Sequence, residues 1–463
     1  MRMKRILLPA LVVVIATSAY GQNDCPQSLS CRTMERRAIE AAIWGMPIVS
    51  FDAMRQAFFR TGAKYGDILY FSKPADWRFQ ITTPNASSLY VYVNFNTKDG
   101  PVVLDFPAAV GAGLFGSLND AWQVPVADVG PEGEDQGKGA KYLLLPPDYQ
   151  GNVPAGYIPL RFTTYNAYSV FRAIPATTSA SDLEKALALV KRMRVYPLAQ
   201  AANPPSSRFI DIAAQPFDAI AAMDDSFYER LARMIDEEPD HTRDLVALDQ
   251  ARSLGIEKGK PFNPDEATRS LLKKAAAEAQ QGLIRDAMNN KPWWPGKRWG
   301  LPDTIGPETG WTFIRGDRYE LEQRARMFYL FCAPPKKLGA ATFYTSASVD
   351  AQGRDLDGSR TYRLHVPPNV PAKQYWAATV YDPATAAFIR EAPTMAIDSY
   401  QDTRKNADGS VDIYFAPKPP AGQEKNWIYT APGKRWFTFF RFYGPEKPLF
   451  DKTWVLPDIE RLD

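Results

Sequence analysis

Histidine is almost missing from this chain, and cysteine nearly so. His241, His365, Cys25, Cys31 and Cys332 are all that occur in 463 residues. Two imidazoles so far apart, with no H-E-x-x-H and no C-x-x-C, leave little from which to build a zinc site. A Ser-His-Asp triad could use only one of them, and no G-x-S-x-G elbow is present. His365 lies in the strand-like run Tyr362-Arg363-Leu364-His365-Val366 and reads as structural. A phosphate loop is absent too. Gly133-Glu134-Asp135-Gln136-Gly137-Lys138-Gly139 is one residue short of that motif, puts Gly139 where Ser or Thr belongs, and is acidic; it reads as a flexible loop. No G-x-G-x-x-G follows a strand, so a dinucleotide site has no support. Asp350, Asp355 and Asp357 lack the glycine and glutamate spacing of an EF-hand calcium loop. No metal and no cofactor are expected.

Long apolar runs are lacking apart from one. Ile6 to Thr17 follows Arg2, Lys4 and Arg5 and precedes Ala19-Tyr20-Gly21, the pattern of a cleavable export signal over residues 1–21. A membrane span needs roughly 20 apolar residues, and this run is shorter. No lipobox precedes Cys25. A periplasmic or secreted location is therefore expected, with no membrane span in the mature chain. Residues 1–21 hold three basic side chains and no acidic one, so a net charge of +3 falls to zero without them. A neutral chain offers no electrostatic footprint for nucleic acid. In an oxidising compartment Cys25 and Cys31 can close a small local disulfide or stand as two thiols. Cys332, within Phe328–Cys332, reads as a buried small hydrophobe.

What the chain does have is proline and aromatic side chains: 39 Pro, 25 Phe, 22 Tyr and 11 Trp. Its length points to two domains. Residues 33–60 read as a helix capped by Thr33 and bent or broken at Pro47. From Ile68 to Pro175 short alternating runs are separated by Gly, Pro, Asn and Asp, the mark of an antiparallel sandwich or barrel. Residues 181–290 are helical in pattern, beginning at a Ser181 cap and punctuated by Pro204, Pro205, Pro239 and Pro261. Asp317 to Phe331 is helical again, and β-pattern returns from Ala341, with a hairpin signal at Asp408-Gly409. The expected layout is a β domain over residues 33–178, a helical and irregular connection over 179–335, and a second β domain over 336–463.

The stretch from Thr82 to Asp128 carries the candidate chemistry. Leu89, Val91, Val93 and Phe95 alternate with Tyr90, Tyr92, Asn94 and Asn96, as in a half-buried strand. Asp120, Asp128 and Glu132, beside Glu134 and Asp135, supply carboxylates near Trp122. Paired carboxylates can serve as general acid and base, as in glycoside hydrolysis. Asp120, Asp128 and Glu132 are thus the candidate catalytic groups. Asn85, Tyr90 and Trp122 are the candidate ligand contacts, amide and flat rings suited to a sugar or another amphipathic molecule. The bland alternative is solvated loops and core aromatics.

The same residues carry a resemblance. Thr83-Pro84-Asn85 with Tyr90, Val102-Val103-Leu104, Asp120-Ala121-Trp122 and Tyr142-Leu143-Leu144 resemble the family called domain of unknown function 1254. Tyr375-Trp376-Ala377, Tyr381-Asp382, Asn406 with Asp408-Gly409-Ser410, Asn426-Trp427, Phe439 to Tyr443 and Leu456-Pro457-Asp458 resemble domain of unknown function 1214. The resemblance implies a mainly β fold with helices, two jelly-roll-like antiparallel β-sandwich domains, in an exported bacterial homo-oligomer. It implies little about activity. The family form places an Asp after the Asn and before a Thr; Ala86, Ser87 and Ser88 stand here instead. Two functions remain open: binding or hydrolysis of a carbohydrate-like or amphipathic small molecule, or a structural assembly module without catalysis.

Overall fold

Strand Leu89–Asn96 alternates as its sequence says, but it is buried on both faces. Leu89, Val91, Val93 and Phe95 enter one apolar core, and Tyr90 and Tyr92 enter another. The expectation of a half-buried strand is corrected. The tyrosine and asparagine face is covered by helices and by the second β domain, not by water. The computed structural model describes residues 28–177, 179–301, 310–337 and 342–463. The export-signal residues and Cys25 lie outside them; Cys332 is a free thiol.

Each β half is a pair of sheets. In the first, the larger sheet runs Phe209–Asp211, Ile68–Tyr70, Leu89–Asn96, Asn166–Ile174, Gly113–Asp120, Pro125–Val129. It faces a smaller sheet of Arg194–Pro197, Val102–Phe106, Ala140–Leu145 and Ile158–Arg161. In the second, the larger sheet runs Lys291–Pro292, Gly300–Leu301, Thr342–Ala347, Phe437–Pro445, Ala372–Tyr381, Ala396–Asp398. Its partner holds Trp427–Tyr429, Val411–Ala416, Tyr362–Val366 and Glu460–Arg461. Pairing is antiparallel except at edge strands such as Phe209–Asp211, Ile158–Arg161 and Trp427–Tyr429. Each sandwich has its own core, and each recruits strands from the connecting region on its side.

The helices are α1 (Leu29–Arg60), which precedes the first sandwich, and α2 (Ala180–Val190), α3 (Ser226–Glu237), α4 (Leu245–Arg252), α5 (Glu266–Met288) and α6 (Leu321–Leu330) of the connecting region. α2 belongs to the core of the first sandwich. α1 packs on α3, α4, α5 and α6. Together with Tyr90, Tyr92, Trp122 and Tyr168 of the first sheet and Tyr381, Phe437 and Phe439 of the second, they form a third core shared by both halves. No helix among the described residues is long and apolar enough to cross a membrane.

Pro47 does not break α1, contrary to expectation. Proline removes one ladder hydrogen bond and crowds the preceding turn, and here other segments brace that turn. Gln123 Nε2 donates to the Pro47 carbonyl at 2.7 Å, and the Arg324 guanidinium donates to the Trp44 carbonyl. From Trp44 to Arg55 the helix is buried all round, so tertiary packing overrides local propensity. Ser28 caps α1 and Ser179 caps α2, five and two residues ahead of the expected Thr33 and Ser181. The loop at Gly133–Gly139 is likewise not a floppy one. Buried Asp135 accepts from the backbone amides of Gly130 and Gly139 and from the Tyr142 hydroxyl.

Candidate functional site

Thr83-Pro84-Asn85 lies where the two larger sheets meet through their outer faces. Thr83 has φ of 38°, an uncommon conformation for a β-branched residue. The second half of the chain holds it there. Thr83 N–H donates to Ala386 O at 2.6 Å, its hydroxyl donates to Leu330 O at 2.7 Å, and its carbonyl accepts from Arg441 at 2.7 Å. The Pro84 carbonyl accepts from the Tyr381 hydroxyl at 2.6 Å. Asn85, 1% exposed, donates through Nδ2 to the Tyr375 hydroxyl at 2.9 Å and to the Tyr443 hydroxyl. Its Oδ1 accepts from Ser87 N at 2.8 Å, and the Tyr90 hydroxyl accepts from Asn85 N at 2.8 Å. Asn85 thus ties the two halves together, and Tyr90 lies beneath it.

Beside this clamp each large sheet contributes one tyrosine–arginine pair from directly opposed strand positions, Tyr90 with Arg172 and Tyr344 with Arg441. Such neighbours interact across a ladder. Arg172 Cζ is 5.9 Å from the Tyr90 ring centre, and Arg441 Cζ is 5.0 Å from the Tyr344 ring centre. Tyr375 and Tyr443, also opposed, stack at 4.0 Å with 8° between planes. Arg441 is sealed, whereas Arg172, Thr342 and Tyr344 are half-buried. Arg172 comes close enough to the Tyr344 hydroxyl to act on it electrostatically.

Neither guanidinium has a carboxylate partner among the described residues. Among the described residues Arg441 bonds Tyr381 and the Thr83 carbonyl. Two cations without a counter-ion are costly in a desolvated place. Their field falls on Tyr344. Burial raises that phenol, but Arg172 and then Arg441 outweigh it and bring it down to about 7. Burial and the neighbouring phenols Tyr375 and Tyr344 push Tyr443 the other way, well above an ordinary tyrosine. Opposite shifts in adjacent groups are what acid–base sites are built from.

Asp120 and Trp122 lie elsewhere. The tight turn after strand Gly113–Asp120 buries Asp120, whose oxygens accept from Val124 N at 2.8 Å and Thr163 Oγ1 at 3.1 Å. Desolvation raises its carboxyl above the ordinary value. Trp122, 4% exposed, lies 5.2 Å from Trp44 and is flanked by Arg324 and Arg243. It lines a crevice with Trp44, Glu238, His241, Asp244 and Leu248, about 250 Å³ of unfilled space counting the open mouth. The enclosed part has room for little more than one water. Trp122 Nε1 and His241 Nε2 are both buried there without a hydrogen-bond partner. Asp244 accepts from Trp44 Nε1 at 2.8 Å and from Arg243 Nε at 3.1 Å. Burial pushes Glu238 up to about 7, although Asn166 and Tyr165 donate to its carboxylate.

The remaining candidates part company again. Asp128 accepts from Ser117 Oγ at 2.6 Å and from the amides of Lys336 and Lys337 at 2.8 Å each, pinning the segment after α6 to the first sheet. Glu132 is exposed, and only its backbone carbonyl is engaged, by Lys337. The structure brings Asn85 and Tyr90 together, and Asp120 and Trp122 together, but no hydrogen bond among the described residues joins the two sets. Arg172, Tyr344 and Arg441 were not among the candidates. Their signal was present as a lone arginine in an apolar strand, Phe171-Arg172-Ala173 and Phe440-Arg441-Phe442.

Two families share the chain in tandem. Residues 67–197 match the family described as "Protein of unknown function (DUF1254)", and residues 341–447 match "Protein of unknown function (DUF1214)". The chain is a DUF1254–DUF1214 protein. The junction is therefore the place where DUF1254 residues Asn85, Tyr90 and Arg172 meet DUF1214 residues Tyr344, Tyr375, Arg441 and Tyr443. The crystal structure of the VPA0106 protein from Vibrio parahaemolyticus is 18% identical, with a TM-score of 0.54, over 93% of this chain and 100% of that one. It shares the fold. A putative uncharacterized protein from Burkholderia cenocepacia is 13% identical, with a TM-score of 0.42, over 94% of each chain. No curated protein sequence matches the chain.

Proposed function

We propose that the protein binds a small amphipathic molecule bearing a negative charge, such as an acidic sugar, at the DUF1254–DUF1214 junction. The observation that carries this reading is the pair of guanidiniums, Arg172 and Arg441, set among phenol rings with no carboxylate partner among the described residues. Arg172 is half-buried, and its donors suit a carboxylate or phosphate in charge-assisted hydrogen bonds. The rings of Tyr90 and Tyr344 give an amphipathic wall of the kind ligand sites use. The candidate acid–base carboxylates Asp120, Asp128 and Glu132 do not support hydrolysis here. The first two are committed to turns and backbone amides, and the third stands in an exposed loop.

Thermal denaturation of the purified chain against graded concentrations of uronic acids, sugar phosphates and matching neutral sugars tests the reading. A ligand of the native state raises the melting temperature with concentration. The acidic members are expected to do so and the neutral ones not, and Arg172→Met is expected to remove the response. A flat response to every acidic compound, or one unchanged in Arg172→Met, overturns it.

A further inference from the structure

Asp398 stands beside the Asn85 clamp but accepts from Ser87 Oγ and Tyr400 N, and Asp382 accepts from Ala384 N and Lys434. No imidazole is bonded to Asn85, Arg172, Tyr344 or Arg441; His365 is paired with Asp412 on the smaller sheet of the second sandwich, and His241 lines the Trp122 crevice. Among the described residues Asp398 stands there without a second carboxylate bonded opposite it, so the pair that glycoside hydrolysis uses is not formed by them. What the junction does present is Tyr344, a half-buried residue with Arg172 facing its hydroxyl and Arg441 over its ring. A phenol held between two fixed cations is built to lose and regain a proton. The same cations suit a substrate carboxylate whose neighbouring carbon takes on negative charge.

Resting on the ligand site proposed above, we propose that Tyr344 is the catalytic base of a β-elimination that cleaves uronate-containing chains, with Arg172 holding the uronate carboxylate. Arg441, sealed behind the Tyr344 ring, is a positioning residue that keeps the phenol ionised. The Tyr344 phenolate takes the hydrogen on the carbon next to the carboxylate as a proton. The electron pair of that C–H bond becomes the new C=C bond. The bond from the β-carbon to the bridging oxygen breaks with its pair on the oxygen, which takes the proton back from Tyr344. One chain end leaves as an unsaturated acid, the other as a free hydroxyl, and the phenolate is restored. No oxidant, reductant or water is consumed.

The full chain is incubated with oligogalacturonate and oligomannuronate, with binding followed by calorimetry and product by the ultraviolet absorbance of the conjugated unsaturated acid. Binding of at least one, with unsaturated product, is expected. Tyr344→Phe is expected to bind within about two-fold while losing on the order of 10²-fold or more in turnover. Arg441→Lys is expected to fold and to move the acidic limb of the pH–rate profile, which a purely structural role would leave in place. Binding without unsaturated product overturns the elimination and leaves the ligand site standing. No binding of either oligomer overturns the choice of substrate class, and the panel of acidic compounds above then decides whether the site itself survives. Turnover unchanged in Tyr344→Phe overturns the assignment of the base.

Discussion

Two places in this molecule set a pair of arginines against aromatic rings, and they differ in one respect. At the Trp122 crevice Arg243 and Arg324 lie over Trp122 and Tyr319, and Asp244 answers Arg243 at 3.1 Å. At the junction Arg172 and Arg441 lie over Tyr90, Tyr344 and Tyr381, and among the described residues no carboxylate answers either. At the crevice one of the two arginines is paired with a carboxylate, while Arg324 is held by Tyr319 and the Trp44 carbonyl. A buried charge is tolerated when paired, and a place where neither cation is paired raises the question of what completes it. The crevice therefore reads as architecture with a water-sized gap, and the junction as a site.

Removing the carboxylate from the paired arginine has the largest expected effect. Asp244→Ala strands Arg243 and the indole N–H of Trp44, and a broken buried pair costs about 3 kcal/mol. Urea denaturation measures it, and a loss below about 1 kcal/mol would dissolve the contrast. Arg172→Met strands no carboxylate, so its stability is expected to change by less than about 1 kcal/mol. Binding of an acidic ligand is expected to weaken by at least about ten-fold, as loss of a hydrogen bond to a charged group implies. A large stability loss with binding intact would reverse the roles of the two clusters.

The pH dependence of the two places runs in opposite directions. Tyr344 is lowered in the folded chain, so its contribution to stability is present in full above the ordinary tyrosine value of about 10 and is lost as pH falls through about 7. Between those limits the wild type is expected to gain stability with rising pH relative to Tyr344→Phe. Glu238, at the crevice, is raised by burial to about 7, so its contribution is present below the unfolded carboxyl value and is lost as pH rises through about 7. Glu238→Gln is expected to remove that decline. Melting temperatures of wild type and both variants from pH 5 to 9 separate the slopes. Parallel slopes would mean that the two clusters do not differ electrostatically as drawn.

Much of the architecture was legible in the sequence because period-two and helical patterns report burial directly. The two sandwiches and α5 follow from such patterns. What was hidden is which surface covers a strand's second face. Tyr90 and Asn94 look like a solvent-facing row until α1 and the second sandwich close over them. The site was half legible for the same reason. Asn85 and Tyr90 stood out as polar groups at a strand end, but Tyr344 and Arg441 lie more than 250 positions later. Only the pairing of two sheets brings them together. Pro47 misled because a propensity rule applies to a helix in water, and this one is enclosed and braced.

The smallest expected effect sharpens the comparison at its edge, where two carboxylates near in sequence have unlike work. Asp128 presents both oxygens to donors fixed in place by the first sheet and by the segment after α6. Asp128→Asn keeps one acceptor and turns the other into a donor facing an amide, so about 1–2 kcal/mol of stability is expected to go. Glu132→Gln alters an exposed side chain whose backbone, not its carboxylate, holds Lys337, and is expected to stay within about 0.5 kcal/mol of wild type. Neither change touches Arg172 or Tyr344, so binding of an acidic ligand is expected to be unaltered in Glu132→Gln. If that variant weakened binding while leaving the melt unchanged, the ligand would lie along the acidic loop, and the carboxylate reading of the sequence would regain its claim over the junction.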